Sequence, residues 1–149
     1  MIRRQAGPGG ERFPGPFIIL QEAGLKRIVI VDDHPFFCEH WKAFFEGRYP
    51  GLVSVETYTD PFAALRVLSP GIHLLMLDLQ MPGMDGKKVL EFAAARGVDR
   101  RRVVITSASH ADHLHDIFRA GECLAVINKE EPAQQAAFLM ILDSLMRKP

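Results

Sequence analysis

Leu74-Leu75-Met76-Leu77-Asp78-Leu79-Gln80-Met81-Pro82-Gly83-Met84-Asp85-Gly86 is the stretch that decides how this chain folds. An unbroken apolar run ends in an aspartate, and a Met-Pro-Gly loop turns the chain directly afterwards. A short apolar run bounded by turn residues reads as a strand buried on both faces. The same form recurs three times. Ile28-Val29-Ile30-Val31 ends in Asp32-Asp33, Val103-Val104-Ile105 ends in Thr106-Ser107, and Val126-Ile127 leads to Lys129. Strands of this kind are parallel, and open parallel sheets place their chemistry just beyond the carboxyl ends of the strands. Three carboxylates, a hydroxyl and a lysine at neighbouring strand ends suit a hard cation together with a phosphoryl group.

Working outward, two periods alternate along the chain. Strands are expected at residues 27–32, 52–58, 72–78, 102–107 and 124–128. Helices are expected from Pro35 to about Glu46, then over 61–68, 86–95, 112–120 and 132–146. Pro35 is well placed in a first helical turn. Five strands alternating with five helices predict an α/β fold with a doubly wound parallel sheet, because parallel neighbours need crossover connections.

The chain has 149 residues, 48% of them hydrophobic, which fits one compact domain with a true core. Eighteen basic residues balance eighteen acidic ones, so net charge gives no argument for nucleic acid or a membrane surface. Cys38 and Cys123 are too few for a zinc site or a disulfide framework, and read as reduced thiols, mostly buried. Residues 1–25 read as a flexible leader, its first part rich in Gly and Pro, and residues 26–149 as the domain. Arg3-Arg4 lacks the apolar stretch that an export signal needs, and no run approaches the ~18 residues of a membrane span. The expected setting is soluble and cytoplasmic.

Taken together, Val31-Asp32-Asp33-His34-Pro35, the stretch from Leu77 to Gly86, Ile105-Thr106-Ser107-Ala108 and Asn128-Lys129 resemble the receiver domain of two-component response regulators. The resemblance covers about residues 26–147. Asp-Asp-His-Pro looks most like receivers that precede a helix-turn-helix output domain. The resemblance implies a flavodoxin-like (βα)5 fold with strand order 2-1-3-4-5. It implies Asp78 as phosphoacceptor, with Mg²⁺ held by Asp33, Asp78 and the backbone carbonyl of Gln80, and by Asp32 through a water. Lys129 is implied to pair with the phosphoryl oxygens and Ser107 to hydrogen-bond them. Thr106, one place too early, is expected to face away by strand alternation. The implied donor is a histidine kinase or a histidine phosphotransfer domain.

Each of these residues has a plainer reading when taken singly: Asp33 as a helix cap, Lys129 as a surface lysine, Gly83 and Gly86 as turn markers. Jointly, at adjacent strand ends, they favour a phosphorylation-controlled switch over an enzyme. One alternative is a pseudo-receiver that no longer takes phosphate, against which the intact Asp32, Asp33, Asp78, Ser107 and Lys129 argue. A phosphatase of the haloacid dehalogenase type needs a second aspartate two residues after the nucleophile, where Gln80 stands. A nucleotide-binding domain lacks its Gly-x-Gly-x-x-Gly after the first strand. Nothing follows the last expected helix, so no DNA-binding output is expected in this chain.

Three features stand apart. Receivers commonly carry an aromatic ring on the fifth strand shortly before the lysine, and here that place holds Val126. The response to phosphate is therefore expected in the loop after the fourth strand and in the helix at 112–120, with a homodimer or partner contact along the fourth and fifth helices. His110, His113 and His115 with Asp112 and Asp116 read as a solvated face rather than a metal site. Phe36, Phe37, Trp41, Phe44 and Phe45 cover more than one face of the first helix, so Phe36 or Trp41 is expected to remain exposed.

Overall fold

Every strand among the described residues runs in the same direction. The structure, a computed structural model, describes residues 24–108, 118–119, 121–130 and 132–148. Its strands are β1 (Lys26–Val31), β2 (Val53–Tyr58), β3 (Leu74–Asp78), β4 (Val103–Ser107) and β5 (Ala125–Asn128). They form one parallel sheet in the order β2-β1-β3-β4-β5, as expected. The described helices are α1 (Pro35–Arg48), α2 (Pro61–Leu65), α3 (Gly86–Ala95) and α4 (Pro132–Arg147). Residues 1–23 of the leader and residues 112–117 of the helix expected at 112–120, with its histidines, lie outside the described residues, whereas Phe118 and Arg119 are described and are not helical, so that helix does not run through them to 120.

The strands alternate their side chains between two apolar layers. Val29, Val31, Leu75, Leu77, Val103 and Ile105 face one way and pack on Ala64 of α2 and on Val89, Leu90 and Ala93 of α3. Ile28, Ile30, Leu74, Met76, Val104 and Ile127 face the other way and pack on α1 and α4. That is why the strand sequences are apolar without interruption: β3 and β4 are buried at every position.

Some boundaries differ from expectation. β3 begins at Leu74 rather than at residue 72, because Ile72 is held in a turn by its N–H bond to the Ser69 carbonyl. α2 ends at Leu65, short of 68, although the N–H of Val67 still bonds the Ala64 carbonyl in one further turn. α1 continues to Arg48, beyond Glu46. On α1 the faces sort cleanly: Cys38, Trp41 and Phe45 are buried, while Phe36 is 70% exposed. Trp41 is thus core, its ring against Phe45 and Phe138, and Phe36 is the exposed aromatic. Cys38 is buried and Cys123 half-buried, and both are free thiols. Among the described residues no helix is long and apolar enough to cross a membrane.

Candidate functional site

Asp32 and Asp78 stand at the carboxyl ends of the neighbouring strands β1 and β3, and Lys129, just after β5, reaches them from beyond β4. Lys129 Nζ lies 2.8 Å from Asp32 Oδ2 and 3.5 Å from Asp78 Oδ2, with all three side chains almost fully buried. The lysine is delivered by its own backbone, whose N–H donates to the Ser107 carbonyl at 2.8 Å. The N–H of Glu130 bonds Asn128 Oδ1, and Gln135 Nε2 donates to the Lys129 carbonyl, which fixes the turn after β5.

Asp78 is positioned by the loop that follows it. The Gln80 N–H donates to Asp78 Oδ1 at 3.3 Å, the Leu79 N–H bonds the Thr106 carbonyl, and the Gly86 N–H returns to the Leu79 carbonyl. Gly83 turns the loop with φ of 83°. Gly86 opens α3 directly under the Asp78 backbone, where a Cβ would run into the Asp78 carbonyl oxygen and sit 2.9 Å from the Leu79 Cα. Asp85 caps the same helix by accepting from the Lys88 N–H. Burial pushes the Asp78 carboxyl up to about 7; the Asp32 charge adds to the rise and Lys129 opposes it.

Asp33 does not cap α1. The N-cap residue is His34, whose side chain makes no cap hydrogen bond. Instead the Asp33 Oδ1 atom is closed off from solvent without a hydrogen-bond partner, beside Asp32, Asp78 and His34. The ligand atoms offered by these four residues all lie within 4.8 Å of one another. A buried carboxylate oxygen without a donor suits a cation as its partner. The donor set of several hard oxygens fits Mg²⁺.

The two hydroxyl residues at the end of β4 have different neighbours. Register pairs Asp78 with Thr106 and Ser107 with Asn128. Thr106 therefore flanks Asp78, yet its hydroxyl is turned to the Leu77 carbonyl at 3.5 Å. Ser107 is buried at the strand end. Val126 stands beside Ile105 on β5, half-buried against the layer that holds α2 and α3. Sequence reasoning missed two neighbours. The Phe37 ring centroid is 4.1 Å from Lys129 Nζ, and the His34 ring approaches both Asp32 and Asp33. The signal for both was their position in the first turn after Asp32-Asp33.

A parallel sheet in this order, with acidic residues and a lysine at its carboxyl edge, defines a receiver-like α/β domain. Residues 28–137 match the response regulator receiver domain, and the chain belongs to that family. A transcriptional regulatory protein of Bacillus subtilis, YhcZ, is 31% identical over 72% of this chain and 50% of its own length. A nitrate/nitrite response regulator protein homolog of Haemophilus influenzae is 25% identical over 71% of this chain and 51% of its own. The chain spans about half the length of these relatives. In fold it is similar to the BeF3-activated N-terminal receiver domain of RstA from Klebsiella pneumoniae (21% identity, TM-score 0.67, covering 83% of this chain and 100% of that one). It is also similar to the response regulator TrrA of Thermotoga maritima in complex with Mg²⁺ and BeF (20% identity, TM-score 0.65, 81% and 99%).

Proposed function

We propose that this domain takes a phosphoryl group onto Asp78 from a histidine kinase or a histidine phosphotransfer protein, and that the modification switches its contacts with partners. The observation that carries the reading is the approach of Lys129 to both Asp32 and Asp78 beside the orphaned oxygen of Asp33. The intact set weighs against a pseudo-receiver, and Gln80 two residues after Asp78 weighs against a haloacid-dehalogenase phosphatase.

Asp33, Asp78 and the Gln80 carbonyl would hold Mg²⁺. When bound, the ion offsets the repulsion between an anionic carboxylate and an anionic phosphoryl group. Both oxygens of Asp32 already have partners, the His34 N–H at 2.9 Å and Lys129 at 2.8 Å, which supports a role through water rather than direct ligation. A lone pair of an Asp78 oxygen forms the new O–P bond while the donor's N–P bond breaks, its electron pair returning to the imidazole. Lys129 pairs with the phosphoryl oxygens as a point charge, and Ser107 donates its hydroxyl to them. The protein supplies no turnover beyond this transfer and the later hydrolysis of its own acyl phosphate.

The setting we assign is the cytoplasm, with no direct contact to nucleic acid from a domain of balanced charge. A homodimer or partner contact is assigned to residues 112–120 and α4, whose outer face carries the exposed Met140 and Ile141. The test is incubation with acetyl phosphate and Mg²⁺, followed by mass spectrometry of the parent and of Asp78→Asn. One phosphoryl group on the parent and none on the variant is expected; equal labelling of both would sink the assignment.

A further inference from the structure

One stripe of α4 faces the sheet through Phe138, Leu142 and Met146, all buried. Gln135 stands one turn before Phe138 on the same stripe, so the helix presents an amide where it next presents apolar side chains. Gln135 Nε2 donates to the backbone carbonyl of Lys129 at 2.7 Å. Two further bonds fix the same turn: the Lys129 N–H donates to the Ser107 carbonyl at 2.8 Å, and the Glu130 N–H donates to Asn128 Oδ1 at 2.7 Å. Those two are made to the ends of β4 and β5, whereas Gln135 ties the lysine to a helix seated on the sheet. The distinction matters because the contacts of the ammonium cannot all last. Nζ lies 2.8 Å from Asp32 Oδ2 and 3.5 Å from Asp78 Oδ2, and a phosphoryl group on Asp78 competes with both for it. The stem of a lysine is flexible, so a fixed direction has to come from its backbone.

We propose that Gln135 is a positioning residue for phosphoryl transfer, its hydrogen bond from α4 holding the Lys129 backbone so that the ammonium stays aimed at the incoming phosphoryl group. The inference rests on the reading of Asp78 as phosphoacceptor and Lys129 as the partner of the phosphoryl oxygens. It adds the group that keeps the lysine directed while its contacts change. Gln135 acts wholly through Lys129, since its amide bonds the lysine's carbonyl rather than the reacting carboxylate. Rigid support counts here, because a small misplacement of a charged group forfeits much of what it gives the transition state. The buried stripe of α4 supplies that rigidity, and Phe37 bounds the ammonium with its ring centroid 4.1 Å away. A tie that served only to dock α4 would alter stability and leave the lysine's share of the rate as it was.

The experiment follows labelling of the full chain by acetyl phosphate with Mg²⁺, read by intact mass, in the parent and in Gln135→Met and Gln135→Ala. Both replacements favour a helix, and neither can donate a hydrogen bond. Losing one hydrogen bond at a part-buried carbonyl should slow labelling about fivefold in each. Mg²⁺ affinity by calorimetry should change less than about twofold, because neither Gln135 nor Lys129 offers the ion a side-chain oxygen in the pocket. Repeating Gln135→Met in a Lys129→Met background isolates the route. There the substitution should change the rate less than about twofold, since the group being aimed is gone. An unchanged rate in both single variants overturns the inference. So does a loss of Mg²⁺ affinity that matches the loss of rate, or an undiminished loss of rate in the Lys129→Met background, which is what a purely structural tie gives. A parent chain that takes no phosphoryl group overturns it together with the reading of Asp78.

Discussion

The ammonium of Lys129 lies over the face of Phe37, 4.1 Å from the ring centroid, on a side chain only 4% exposed. Lys129 thus has Asp32 and Asp78 on one side and the first turn of α1 on the other. A desolvated cation over an aromatic face is worth up to about 2 kcal/mol. With Val126 on β5 and no ring there, the aromatic group that touches the lysine comes from α1.

Phe37→Leu keeps the apolar bulk and removes the quadrupole. Losing about 1 kcal/mol of lysine positioning should slow phosphorylation by acetyl phosphate about fivefold. Calorimetry should show Mg²⁺ affinity little changed, because Phe37 offers no ligand. An unaltered labelling rate in the variant contradicts the positioning role.

Gly86→Ala should destabilise the domain by about 1–3 kcal/mol, the usual range for overpacking against backbone. Neither the Asp78 carbonyl nor the Leu79 Cα can yield without moving the loop that aims the acceptor. Urea unfolding of parent and variant measures this, and a midpoint shift of zero refutes it. A glycine after Asp85 was visible in the sequence, but that it lies beneath Asp78 was not.

Ser107 and Thr106 can be separated by experiment. Ser107→Ala should slow phosphorylation about tenfold through loss of one hydrogen bond to a charged group. Thr106→Val, which removes only the long contact to the Leu77 carbonyl, should stay within about twofold of the parent. Time courses of acetyl phosphate labelling decide the pair. The reverse outcome makes Thr106, the register partner of Asp78, the hydroxyl of the site.

The parallel sheet and the carboxylate–lysine cluster were legible because each strand ends in the residue that matters, and apolar runs this short leave few other readings, whereas the strand order followed only from the family resemblance. The faces of α1 were legible in principle as well. Cys38, Trp41 and Phe45 recur at helical spacing, and Phe36 falls off that stripe. Aromatic residues on every side hid the pattern. The starts of β3 and the end of α2 were not legible, since residues 66–73 form turns held by backbone bonds that no side-chain period records. His34 against Asp33, and Phe37 against Lys129, depend on where the first turn of α1 sits over the sheet edge. A linear pattern carries no such information.

Hidden for the same reason is a clamp between helices far apart in sequence. Arg48 at the end of α1 makes two hydrogen bonds to Asp143 of α4, and the Tyr49 hydroxyl donates to Asp143 Oδ1 at 2.6 Å. Hydrogen bonds from Arg48 first, then from Tyr49, hold the Asp143 carboxyl down at about 2, against an ordinary value of 3.8. The folded value lies below the unfolded one, so the stabilisation is fully present above about pH 4 and is lost as pH falls through 2. Asp143→Asn removes the charge at every pH. The gap in urea midpoint between parent and variant should be constant from about pH 7 to 5 and should close progressively from about pH 4 to 2. Denaturation series at matched ionic strength give the comparison, with salt held fixed because both charged partners are partly exposed. A gap of constant size down to the lowest pH would show that the Arg48–Asp143 charge pair contributes nothing to holding α1 against α4.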